Sequence, residues 1–201
     1  MLDWEWYSFI VAISSVVSLS ILRETLMQQG RAGKALIIVL VLTIVGYSVS
    51  SIGSIFDSLE KYASIVSDLC WISQASFLLT SLANFLREDK PTYARYPVLF
   101  TYLPMIILPV YPFILDTIVI KDWVLALYQL GSIIITGLLL GLLATRESKF
   151  FIIFIPWFIF TLVWILNWII EPIWFPETVK SIVIAFGIIF FSKTFKDITH
   201  H

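Results

Sequence analysis

The chain has 201 residues, of which 59% are hydrophobic and 13% charged, with a net charge of −1 and a mean hydropathy of +0.94. A soluble domain averages about 25% charged residues, so this chain has too few polar groups to cover a soluble surface. A single cysteine, Cys70, and two histidines at the very end, His200 and His201, rule out an intrachain disulfide framework. They also leave no intramembrane histidine to ligate a metal or haem.

Stretches of about 20 residues with hardly a charge recur along the whole length, the signature of transmembrane helices. Charged and turn-forming breaks divide them into seven expected spans, at 7–22, 36–56, 62–86, 95–116, 122–144, 149–170 and 178–196. The first is read as retained, because "MLDWEWY" is acidic and aromatic where a signal peptide needs a basic start. Segments such as "KALIIVLVLTIVGY" are apolar all round, unlike the alternating strands of a membrane barrel. The predicted class is all-α: a polytopic integral membrane protein, a seven-transmembrane-helix bundle forming one membrane domain over 1–201 with no soluble domain.

Basic residues orient it. Arg23, Arg31, Lys34, Arg87, Lys90, Arg95, Arg146, Lys149, Lys193 and Lys196 fall on one side of the expected spans, against Lys61, Lys121 and Lys180 on the other. The positive-inside rule makes the rich side cytoplasmic, with the N-terminus outside and the C-terminus inside. Nine acidic residues accompany the three outer lysines, for a net −6; five accompany the ten inner basic residues, for a net +5. The membrane expected is the plasma membrane, and an acidic outer mouth concentrates cations.

The second span places Gly46, Ser50 and Ser54 on one face, and the fifth places Gly137 and Gly141 on another. Small residues four apart let helix backbones approach closely, within one bundle or between copies in a homo-oligomer. The third span, "YASIVSDLCWISQASFLLTSLANFLRED", is the most polar, with Ser67, Gln74 and Ser81 every seven residues and Trp71 and Asn84 in the same stripe. Polar side chains in lipid find partners on neighbouring helices, so this span is expected at the centre of the bundle. Asp68 differs in kind. A carboxylate at span depth costs about 2.5–3.5 kcal/mol on insertion scales and defaults to a functional hypothesis.

The fourth span carries Pro97, Pro104, Pro109 and Pro112, each interior proline freeing a carbonyl and bending the helix. In the sixth, Trp157, Thr161, Trp164, Trp168 and Glu171 follow helical spacing, with Asn167 beside them. Aromatic walls with a few convergent polar groups describe a small-molecule pocket, and an acidic aromatic one suits a cation. The expected ligand site therefore is an outward-facing pocket between spans three and six: Asp68 as polar contact at its mouth, Gln74 and Asn167 orienting, Trp71, Trp164 and Trp168 as walls, and Glu171 on the same face as the sixth span's tryptophans.

No histidine in the spans can activate a nucleophile, and there is no phosphate-cradling glycine loop or basic aromatic patch for nucleic acid. A retinal protein would need a lysine in the middle of the seventh span, where the chain reads "SIVIAFGIIFF". The plan of seven spans with an outer N-terminus is similar to the membrane portion of seven-helix sensor kinases, an architectural likeness only. The leading expectation is a non-enzymatic sensor-like or accessory module without cofactor. Its expected partners are the bilayer, a small cationic or amphipathic ligand, and a membrane or cytoplasmic protein. The alternatives are a small cation- or proton-coupled transporter or channel, and a structural subunit of a larger membrane complex.

Overall fold

A computed structural model describes residues 5–28, 30–89, 95, 97–114, 117–146, 148–169 and 177–199. These form helices, with no strand among them. Helix α1 (Glu5–Gln28) is followed by α2 (Gly30–Ile55), and a 3-10 turn at Asp57–Leu59 leads into α3 (Glu60–Asp89). A helical rod at Val98–Ile114 follows, in which only α4 (Ile107–Val110) has α geometry, between 3-10 segments Val98–Ile106 and Tyr111–Ile114. Then come α5 (Ile118–Arg146), a 3-10 segment at Ser148–Ile153 continuing into α6 (Phe154–Ile169), and α7 (Glu177–Thr199).

Four helices, α1, α2, α3 and α5, are long and apolar enough to cross a membrane. The packing is inverted relative to a soluble domain. Small and hydroxyl-bearing residues such as Ser15, Ser18, Ser51, Ser76, Thr80 and Ser132 are buried, while large apolar side chains such as Leu99, Phe113, Leu127 and Phe151 are exposed. The buried hydroxyls cost little because most turn back onto their own helix: Ser15 donates to the Val11 carbonyl at 2.8 Å, Thr43 to Val39 at 2.8 Å and Ser76 to Ile72 at 2.8 Å.

Each helix packs on its neighbours in a closed circuit: α1 on α2, α2 on α3, α3 on α5, α5 on α6, α6 on α7, and α7 back on α1. The rod around α4 lies against α3 and α5. Small residues set the closest approaches. A side chain on Gly33 of α2 would collide with the Leu26 carbonyl of α1, and one on Gly53 with the Ala63 Cβ of α3. A Cβ on Gly46 would lie 3.1 Å from that of Cys70. Ser50 is half-buried, and Ser54 donates to the Ser51 carbonyl at 2.9 Å. The close-packed face of α2 thus continues from Gly46 through Gly53.

The rod owes its geometry to proline. Pro104, Pro109 and Pro112 lack the N–H that an α-helix needs for its i→i−4 bonds, and long 3-10 runs are otherwise uncommon. The boundary before α5 also departs from expectation. "DTIVIKD" reads as a break, yet α5 begins at Ile118, and Lys121 donates its backbone N–H to Thr117 at 2.9 Å. Lys121 therefore stands on helix rather than in a loop.

Candidate functional site

Two faces of α3 are used. Ala63, Ser67 and Cys70 follow i, i+4, i+7 spacing on the buried stripe that includes the contacts to α2, while Asp68 and Ala75, seven residues apart, make the hydrogen bonds to α5. Asp68 Oδ2 lies 2.7 Å from Lys121 Nζ, with each side chain only 17% exposed. Further along, the Ser132 hydroxyl is 3.5 Å from the Ala75 carbonyl and 2.8 Å from that of Tyr128. Both contacts advance together in sequence, so α3 and α5 run parallel and the rod around α4 returns between their ends.

Tyr111 stands at the C-terminal end of that rod, fully buried, within electrostatic reach of both Asp68 and Asp122. Its hydroxyl has no hydrogen-bond partner among the described residues. Buried hydroxyls are nearly always satisfied, so this one has polar capacity left unused. Farther down the same three elements, Leu79 of α3, Leu103 and Pro104 of the 3-10 segment, and Leu127 and Tyr128 of α5 line an open groove of about 370 Å³. Its walls are mostly apolar, and Leu103 and Leu127 are exposed at its mouth.

The expected pairing of spans three and six takes a different form. The tryptophan face of α6 meets α5: Trp164 Nε1 donates to Gln129 Oε1 at 3.0 Å, and Trp157 Nε1 donates to the Ile133 carbonyl at 2.9 Å. Gly137 is what admits the Trp157 indole, since a Cβ there would lie 2.5 Å from the ring. Gly141 faces Phe154 at an ordinary 3.9 Å. Trp71 instead packs edge-on against Tyr47 of α2, with ring centroids 4.6 Å apart at 78°.

Of the expected site residues, then, Asp68 is held by Lys121, Trp71 turns to α2, and Trp164 turns to α5. Gln74 is half-buried on α3. The side chains of Asn167 and Trp168 and the whole of Glu171 lie outside the described residues. Lys121, paired with Asp68, and Tyr111, within electrostatic reach of it, are not among the residues the sequence points to. Lys121 was readable as a lone lysine beside an apolar segment, but its partner 53 positions away was not.

No family model, curated protein or solved structure matches the chain.

Proposed function

We propose that this is an integral membrane protein crossing the plasma membrane seven times, N-terminus outside and C-terminus cytoplasmic. In this reading it is a non-enzymatic, sensor-like or accessory module. Its responsive element is the Asp68–Lys121 junction of α3 and α5, in place of a pocket between spans three and six.

Helix lengths support the span count. The rod at Val98–Ile114 would reach only about 26 Å as an α-helix of 1.5 Å rise. With nine and four of its residues in 3-10 geometry at about 2.0 Å each, it reaches roughly 32 Å, matching a hydrocarbon core of about 30 Å. The 3-10 start gives the sixth span, six plus sixteen residues, roughly 36 Å. The 23 residues of α7 suffice as they are. Parallel α3 and α5 require an intervening crossing, which the rod supplies. The lysine and arginine asymmetry supports the orientation.

The observation that carries the functional reading is the ion pair. Removing two charges from water costs several kcal/mol per ion, and apolar residues of similar size often serve stability as well or better. A paired acid and base at span depth is better accounted for by use than by stability. Their partial exposure leaves both open to a competing charged group. A ligand that takes either partner releases α5 from α3, a two-state change of the kind sensors exploit.

The test is a titration of the purified protein in nanodiscs with small organic amines, followed by tryptophan fluorescence. A saturable response that disappears in Asp68→Asn is expected. No saturable response in the wild type overturns the sensor reading. Asp68-dependent collapse of a pH gradient in proteoliposomes would instead establish the cation- or proton-coupled transporter.

A further inference from the structure

We infer that the groove between α3, the rod around α4 and α5 holds one acyl chain of a phospholipid with a primary-ammonium headgroup, and that this headgroup rests on the Asp68–Lys121 pair. The inference rests on the seven-span reading and on the junction as the ligand site.

The groove and the pair belong to one structure. Leu79 is eleven residues past Asp68, and Tyr128 is seven past Lys121, which puts the groove roughly 10–16 Å along the helices from the charges. Asp68, Ala75 and Leu79 follow helical spacing on one side of α3, so charge and groove lie on a common face. A polar end followed by an apolar slot is the outline of an amphiphile lying parallel to the bundle.

The rod makes the slot. A 3-10 helix is thinner than an α-helix and stacks its side chains at every third residue, so the Leu103–Pro104 wall leaves a channel against α3 and α5. The mouth is open on the same surface as the exposed Leu103 and Leu127, which in a seven-span protein faces the lipid tails.

Charge selects the headgroup. Asp68, Asp122 and Lys121 together carry one net negative charge, which disfavours an anionic lipid. A zwitterionic headgroup is complementary: its phosphate suits the Lys121 ammonium, and its own ammonium suits the carboxylates. A primary ammonium donates hydrogen bonds, whereas a quaternary one has no N–H to give. The Tyr111 hydroxyl, within electrostatic reach of Asp68 and without a hydrogen-bond partner among the described residues, is the further polar group such a headgroup would bring into a network.

The experiment extracts the protein from bilayers containing equal amounts of phosphatidylethanolamine, phosphatidylcholine and phosphatidylglycerol, and counts retained lipids by native mass spectrometry. One retained phosphatidylethanolamine per chain is expected. Leu127→Trp and Leu103→Trp, at exposed positions that tolerate bulk, should fill the groove and lower retention about tenfold, the effect of losing a modest share of the chain's contacts. Asp68→Asn with Lys121→Gln should erase the preference among headgroups. Equal retention of the three lipids by the wild type overturns the headgroup assignment. Retention undiminished in both groove-filling variants overturns the groove assignment, as does a dimer that those variants dissociate, since a second copy would then be the occupant. If lipid retention fails these tests while the Asp68-dependent amine response persists, the lipid inference falls alone; if the amine response is absent too, the junction is no ligand site.

Discussion

Lys121 Nζ and Asp68 Oδ2, 53 residues apart in the chain, meet at 2.7 Å and join two parallel helices that also share the Ser132–Ala75 hydrogen bond. Removing one partner leaves the other charge buried without compensation, whereas removing both leaves none. Asp68→Asn and Lys121→Met should each destabilise the protein by about 3 kcal/mol, and the double variant should regain most of that loss. Unfolding of the four proteins in detergent, analysed as a double-mutant cycle, checks this. Additive losses would show that the pair is not coupled.

At the other face of α5, Gly137 makes room for the Trp157 indole. Gly137→Ala should cost about 1–3 kcal/mol by overpacking. Trimming the ring with Trp157→Leu should relieve the clash, so that the double variant is no worse than Trp157→Leu alone. Melting temperatures of the three variants measure it.

Two further glycines have opposite expectations. A Cβ at Gly33 would meet the Leu26 carbonyl, a backbone atom that cannot rotate away, whereas at Gly131 it meets nothing within 4 Å. Gly33→Ala should lower folded yield and thermal stability sharply. Gly131→Ala should be neutral or stabilising by up to about 1 kcal/mol, the helix-propensity difference. Equal effects at the two positions would contradict the close approach of Gly33 to Leu26.

The proposed orientation is open to direct test. Cys70 is buried and is replaced by serine to give a background without thiols. Cysteines introduced at exposed Ser58, before α3, and at exposed Ser148, after α5, should then differ. In intact cells an impermeant maleimide should label position 58 only, and after lysis both. Labelling of position 148 from outside would reverse the topology.

Much of the fold was legible because its signals are local. Composition, apolar run length and charge breaks report helices directly, and the all-α character follows from them. Gly46 and Gly137 were legible as contact points, because a missing side chain at helical spacing permits close approach whatever helix arrives. The prolines of the fourth segment announced an irregular helix, though not that it would tighten into 3-10 geometry and so lengthen.

What the sequence by itself determined is therefore which segments are helical, which residues are expensive in an apolar setting, and where backbones can come close. Only the tertiary structure decided who meets whom. Asp68 was conspicuous in the chain, but its partner depended on α3 and α5 packing in parallel, on α5 starting early enough to carry Lys121 on helix, and on the tryptophan face of α6 turning to α5. Those choices come from the fit of whole helix surfaces, a sum over many weak contacts between residues far apart in sequence, and no local pattern encodes that sum.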